Sequence, residues 1–538
     1  MKNYFISLLT TLALCTCVHA NQFQLVILGE DAPLLDEASL TEVDGIWIVN
    51  HEFPGHESQL ITQLQTILQE RPLNVRTIDH LIATISSYYD EQGHPLVLVT
   101  APDQEVSQGV LQLQVTESRL GELLIQGNRW TRAKRLRQYM SLESGDLIDE
   151  HDLFTSLYFI NRNPFRQVDL IYSPGEEEHT TDITLAVRDR RPVRIYSGVD
   201  NTGVEPIHRN RWFAGFNWGN AFGLDQILMY QYTASFDIDT FQAHTGQYII
   251  PFPWLHRLNI YGGYNSVEPS LTHPMLSNTG WGMQASLRYE IPFMIRRFLE
   301  QEWDMGFDFK RTNNTFAFAD DTPAIGKNVN LSQLVLTYSG IYERNRYRLD
   351  FESDLFYSPC QWLPDQTPND YATLRPGANP KWFYGRGMFN YLQKIGSCSF
   401  ALTARGQGST AALLPSEQFG LGGYETIRGY EERVVNKDNA VVLNAEMRSP
   451  AFPLFSRSAK RKTDALQFLA FVDAGWGIDH TRNGNLPLSE YLIGVGPGIR
   501  YTWEPHLTGR FDLGFKLHKN DLIGTSLTQI HFSVIMSY

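Results

Sequence analysis

The stretch Leu299-Glu300-Gln301-Glu302-Trp303-Asp304-Met305-Gly306-Phe307-Asp308-Phe309-Lys310 decides the fold. Leu299, Trp303, Met305, Phe307 and Phe309 fall on one side of an extended chain, and Glu300, Glu302, Asp304, Asp308 and Lys310 on the other. Successive side chains of a strand point to opposite faces, so this period of two marks a strand with one apolar and one charged face. The same alternation sets Tyr347, Leu349, Phe351 and Leu355 against Arg348, Asp350, Glu352 and Asp354. It also sets Phe511, Leu513, Phe515 and Leu517 against Arg510, Asp512, Lys516 and His518. Any one such strand suits a soluble sandwich with its charges in water. The whole set decides otherwise: about sixteen strands lie between Pro192 and Tyr538, an even number. They are joined by short turns (Gly219 to Gly223, Pro251 to Trp254, Glu343 to Arg346) and by longer polar loops (Asn313 to Asn330, Ser358 to Asn379, Ser409 to Asp438). That is the pattern of an outer-membrane β-barrel. A Lys or Arg turned to lipid near the midplane costs roughly 2 to 4 kcal/mol, so the charged face lines a wet lumen.

Composition agrees with this. The 538 residues have a mean hydropathy of -0.28, and beyond the amino terminus no apolar run approaches the ~20 residues of a membrane-spanning helix. A net charge of -14 with no basic tract excludes nucleic acid as a partner, because that affinity rests on many Lys and Arg contacts to phosphate. Residues 1–20 read as a secretory signal: Lys2, an apolar stretch from Tyr4 to about Leu14, then Val18-His19-Ala20 before cleavage at Asn21. Leu14 and Thr16 stand before Cys15 and Cys17 where a lipoprotein needs a small residue. The mature chain then keeps Cys360 and Cys398, which the strand order puts at opposite barrel ends, beyond bridging distance and unpaired. His51-Glu52 with His56 misses the zinc-protease spacing by one, and Pro54-Gly55 breaks the helix it needs, so no metal is expected. No G-x-S-x-G, P-loop or dinucleotide fingerprint occurs, and neither catalysis nor a cofactor is expected.

From Gly45 to Arg191 the periodicity is mixed. Ile46 to Val49 is strand-like, Glu57 to Leu68 and Val75 to Tyr89 are helix-like, and Pro95 to Val99 and Val110 to Val115 are strands. The order then repeats with a strand at Leu123 to Ile125, helices at Thr131 to Met140 and Asp149 to Asn161, and strands at Val168 to Tyr172 and Asp182 to Val187. Two β-α-α-β-β modules follow, over 46–118 and 119–191, between an amino-terminal segment 21–45 and the barrel 192–538.

In order and content the chain resembles the TpsB-type transporters of two-partner secretion, whose members include haemolysin-secretion and filamentous-haemagglutinin-secretion proteins. The resemblance rests on Pro102-Asp103-Gln104 followed by Gly109-Val110-Leu111 and Val115 in the first module. In the second it rests on Asn161-Arg162-Asn163-Pro164, Pro174-Gly175, Thr181-Asp182-Ile183 and Asp189, leading to Gly198-Val199-Asp200-Asn201. Most specific is Ile427-Arg428-Gly429-Tyr430 after the eleventh strand, similar to the V-R-G-Y/F tip of the family's sixth extracellular loop. Its counterpart is Phe471-Val472-Asp473-Ala474-Gly475 on the thirteenth strand, similar to the F-x-D-x-G motif.

The resemblance implies two periplasmic POTRA modules before a 16-stranded barrel, and a loop folded into the lumen whose arginine meets the strand aspartate. The residues by themselves agree: Leu466, Phe468, Val472 and Trp476 share one face, which turns Asp473 inward. A buried charge demands a partner, and Arg428 is the candidate. The bland alternative, an exposed loop arginine, is opposed by the glycines at 420, 422 and 423, which permit tight backbone approach. The resemblance also implies export of a large secreted exoprotein, captured by strand addition to the POTRA modules, where Pro102, Gln104, Asn161 and Pro164 stand. The last strand, with Phe532 and the terminal Tyr538, looks like a signal read by the barrel assembly machinery, and its apolar face meets outer-membrane lipid. The alternatives are an insertase for other barrel proteins and, further off, a passive pore. One departure is expected: Asn21 to Gly45, even with a short helix over Leu34 to Val43, is too short to plug the barrel and return, at ~1.5 Å per helical residue.

Overall fold

A computed structural model describes residues 23–538 apart from 107–108, 270–275, 297, 319–322, 360, 456–463, 483–486 and 520–525. The expected signal over residues 1–20 and Cys360 lie outside the described residues. The chain forms two compact units, one of residues up to 124 with 142–153 and 170–185, the other of 125–141, 154–169 and 186–538. The stretch expected as a second module contributes to both.

The first unit holds a sheet in the order β2-β1-β4-β3, built from β1 (Gln24–Leu28), β2 (Ile46–Val49), β3 (Val97–Thr100) and β4 (Val110–Glu117). β1 runs parallel to both neighbours, with Ile27 opposite Ile48 on one side and Leu113 on the other. The sequence reading placed no strand in this segment. The run Phe23-Gln24-Leu25-Val26-Ile27-Leu28 lacks alternation because both faces of β1 are covered, which makes a buried parallel strand a continuous apolar run. Phe23, Leu25 and Ile27 pack under the helices α2 (Ser58–Glu70) and α3 (Val75–Gln92). Val26 and Leu28 pack on the other face with Ala32, Leu40 and Val43. The expected short helix is present as α1 (Glu37–Leu40), capped by Asp36, whose carboxylate accepts the Ser39 N–H at 3.0 Å.

Residues 119–189 contain helices α4 (Ala133–Arg137) and α5 (Glu150–Asn161) and the strands β5 (Arg119–Gln126), β6 (Arg166–Pro174) and β7 (Thr180–Asp189), paired in the order β5-β7-β6. Asp182 accepts the Glu122 N–H at 2.7 Å, and Asp189 accepts the consecutive N–H groups of Arg129, Trp130 and Thr131 within 3.1 Å.

Sixteen antiparallel strands close the barrel, the first (Val193–Asp200) pairing with the sixteenth (Thr528–Ser537). Register agrees with the inward charges: Asp304 on the seventh strand (Leu299–Phe318) faces Glu290 on the sixth (Leu276–Arg296), and Arg500 on the fourteenth (Ser489–Trp503) faces Arg510 on the fifteenth (Leu507–Lys516). Other inward charges pair across the lumen wall, Arg288 with Asp308 and Arg500 with Asp512, both at 2.8 Å. Two expected loops are corrected. Most of Asn313 to Asn330 is strand, because the seventh (Leu299–Phe318) and eighth (Pro323–Glu343) keep pairing past Asn313, whose side-chain amide bonds Asn328 at 2.9 Å. The loop after the ninth strand (Tyr347–Pro359) carries a helix, α6 (Pro368–Leu374), although none was expected beyond Pro192. Thr367-Pro368-Asn369-Asp370 starts it with a capping box and a proline in the first turn.

Candidate functional site

Residues 410–438 join the eleventh strand (Cys398–Ser409) to the twelfth (Asn439–Arg448), and they pack within the barrel. Their stem is a two-stranded ladder, Phe419–Leu421 against Val435–Lys437. Gly422 and Gly423 turn the chain at φ +98° and +108°, values that L side chains adopt only with strain. The tip Ile427-Arg428-Gly429-Tyr430 follows, and Ile427 and Tyr430 are completely buried with Leu421, Val442 and Leu492.

Arg428 grips Asp473 on the thirteenth strand (Asp464–Ile478) through both forks of the pair. Nε reaches Oδ2 and Nη2 reaches Oδ1, each at 2.8 Å, while the Arg428 backbone N–H donates to Oδ2 at 3.0 Å. Nη1 donates to Glu446 on the twelfth strand at 2.6 Å, and Asp512 on the fifteenth (Leu507–Lys516) stands 3.8 Å from it. The guanidinium lies over the Phe471 ring, 3.6 Å from the centroid, a cation–π contact strengthened by exclusion of water. Arg448 at 2.7 Å from Glu446, and Arg510 at 2.9 Å from Asp512, complete an alternating network. With Asp473 fully buried and Arg428 3% exposed, each charge depends on the other for compensation.

Backbone shape is as important as charge. Gly429 has φ +100° and donates its N–H to His531 Nε2 on the last strand at 3.1 Å. A Cβ on Gly494 would strike the Arg428 carbonyl, one on Gly514 would lie 2.7 Å from the Arg428 carbonyl carbon, and one on Gly475 would lie 2.5 Å from Ile427 Cδ1. The tip therefore rests on bare backbone of the thirteenth, fourteenth (Ser489–Trp503) and fifteenth strands. Gly514→Val is expected to lift it. The check is maleimide labelling of an I427C reporter in a background without the natural cysteines, and labelling should rise about tenfold for the overpacked variant.

The structure brings together all seven residues expected at the loop tip and its partner motif: Ile427, Arg428, Gly429, Tyr430, Phe471, Asp473 and Gly475. The others stand elsewhere. Gln104 spends its amide on strand β4, accepting the Gln112 N–H at 2.7 Å and donating to the Gln112 carbonyl at 2.6 Å. The Pro102 carbonyl accepts from the same amide at 3.2 Å. Asn161 does likewise with Val168, at 2.7 and 3.0 Å, and the Pro164 carbonyl accepts from Arg190 at 2.9 Å. Phe532 and Tyr538 lie on the closing seam, where the Phe532 N–H donates to Asn201 at 2.9 Å and Tyr538 exchanges backbone bonds with Ile195. Cys398 is free. Sequence reasoning missed Glu446, Asp512, His531, Gly494 and Gly514. Gly494, Gly496 and Gly498 alternate on the inward face, and of the three it is Gly494 whose bare backbone meets the tip, while Gly496 and Gly498 make room for Phe471, Leu469 and Asp512 of the neighbouring strands.

A barrel with charged residues inside and a loop bolted within it defines a protein-transport barrel of the outer membrane rather than an open porin. Residues 179–501 match the haemolysin secretion/activation protein family ShlB/FhaC/HecB, and residues 48–118 match the ShlB-type POTRA domain. The chain belongs to this haemolysin secretion/activation family. It is similar to the outer membrane transporter CdiB of Dickeya dadantii (strain 3937), at 22% identity over 80% of this chain and 75% of that one. It is also similar to the heme/hemopexin transporter protein HuxB of Haemophilus influenzae (strain 86-028NP), at 20% identity over 80% and 76%. Among solved structures, CdiB from Escherichia coli shares the fold with a TM-score of 0.78 at 17% identity, covering 96% of this chain and 90% of that one. The protein is an outer-membrane transporter of two-partner secretion, with its POTRA region in the periplasm.

Proposed function

We propose that this transporter exports one large exoprotein, which it takes up in the periplasm through the passenger's amino-terminal secretion domain and passes through the lumen once the loop leaves its clamp. The observation that carries this is the Arg428–Asp473 pair: a lumen held shut by a removable element suits gated passage of a chain. A permanently open pore has no use for such a bolt. The relatives are named as transporters, which supports a role without catalysis. The sequence has no nucleotide motif, so folding of the passenger outside the cell supplies direction. Capture of the passenger draws on strand addition to exposed sheet edges of the POTRA region, near Pro102, Gln104, Asn161 and Pro164. The last strand, ending at Phe532 and Tyr538, addresses the barrel to the assembly machinery.

The test is capture by the full-length protein in lipid nanodiscs from periplasmic and secreted extracts, read by mass spectrometry. Retention of one large secreted protein through its amino-terminal region is expected. Retention of many unfolded barrel proteins instead would make this an insertase and remove the export reading.

A further inference from the structure

Away from the Arg428 clamp, the limb that enters the loop carries a second buried charge. Glu417 is fully buried. Lys310 Nζ donates to its two oxygens at 2.8 and 3.1 Å, the Tyr384 hydroxyl donates at 2.7 Å, and Gln333 Nε2 stands at 3.4 Å. The Glu417 carbonyl accepts from Arg386 at 2.9 Å and Gln407 at 3.1 Å. These partners sit on the seventh, eighth, tenth (Lys381–Ile395) and eleventh strands. The partners of Arg428 sit on the twelfth, thirteenth and fifteenth. The seventh and fifteenth strands are eight apart in a ring of sixteen, so Lys310 and Asp512 stand on opposite walls and the loop is fixed at both ends of a crossing. Beside this second fixing, Leu414, Pro415 and Ser416 border a lumen cavity of about 1230 Å³, whose wall includes Lys310, Gln284 and Asn313.

We propose that Glu417 is a second anchor of the lumen loop, a positioning residue that holds the limb Leu413 to Glu417 over this cavity. The limb swings off the cavity when Glu417 parts from Lys310 and Tyr384, a step separate from release of the Arg428 tip. The inference rests on the transport reading only in taking this loop as the element that moves. Its physical basis is that Lys310 and Tyr384 reach the limb from the wall as side chains, whereas the limb has no strand pairing until Phe419. Removing one member of such a pair leaves the other charge without compensation, which a closed limb tolerates poorly.

The experiment is ion conductance of the full-length protein in planar bilayers, with heat-modifiable gel mobility confirming a folded barrel. E417Q and K310M should each raise the open fraction about a hundredfold, and Y384F, which removes a single hydrogen bond and no charge, about tenfold. The charge-swapped double variant K310E with E417K should return toward wild-type closure. Wild-type tightness in both E417Q and K310M, or a charge-swapped barrel as open as the single variants, would overturn the proposal. Passenger export is measured in parallel: absence of export by the wild type would remove the transport reading and leave the conductance result standing.

Discussion

Arg428→Ala is expected to cut passenger export about a hundredfold while the barrel still assembles and reaches the outer membrane. The size follows from what alanine leaves behind. Asp473 loses two side-chain donors and Glu446 loses one, and Asp473 is fully buried beneath the tip. An uncompensated buried carboxylate costs about 3 to 5 kcal/mol, comparable to what burial of Ile427 and Tyr430 contributes, so the tip no longer holds the docked state from which each gated passage starts. Assembly is spared because the sixteen-strand ladder and its seam, Val534 against Val199, involve no atom of Arg428. Arg428→Lys should rescue little: an ammonium cannot fork onto Asp473 and reach Glu446 at once, nor stack flat on Phe471. Asp473→Asn should give the same loss, and the double variant should be no worse than either single one, as expected of two residues acting as a unit. Export is read by passenger recovered from medium against barrel recovered from outer membrane; undiminished export by Arg428→Ala would end the clamp's claim to a role in transport.

The barrel was legible because its information is local. Trp303 and Asp304 declare opposite environments within one residue, and a period of two survives any uncertainty in strand ends. The pair Arg428 and Asp473 was legible through motif spacing and through the demand of an inward charge for a partner. Glu446, Asp512 and His531 were not, because nothing in sequence says which inward polar residue stands at the height of the tip. Register across several strands decides that, and one residue of slip would exchange Glu446 for its outward neighbours. Two local signals were present and went unread. Thr367-Pro368-Asn369-Asp370 is a helix start inside a polar stretch, and Gly494, on the inward face of its strand, is bare backbone against which the tip lies.

The amino-terminal segment hides its strand for a different reason: β1 is apolar on both faces and so shows no alternation. Deletion of residues 23–29 is expected to unfold the first module and leave barrel conductance at the wild-type level. β1 is not an appendage: β2 pairs only with β1 among the described residues, and β4 meets β1 on one edge and β3 on the other. Without β1 the sheet splits and the floors of both cores disappear. Leu25, Val26, Ile27 and Leu28 are all completely buried, and at about 1.5 to 3 kcal/mol for each such side chain their removal forfeits roughly 6 to 12 kcal/mol. That is comparable to the whole stability of an ordinary domain. The single substitution Ile27→Asp should act in the same direction, because its carboxylate would sit in the apolar core among Leu25, Leu60 and Leu64. Limited proteolysis of the full-length protein in membranes distinguishes the possible roles of this segment. If it completes the sheet, cleavage spreads through residues 46–118 and the pore stays shut. If it serves as a plug, the module resists protease and conductance rises. The parallel register on both sides of β1, with apolar residues facing both ways, favours the first, because a strand so committed cannot also occupy the lumen.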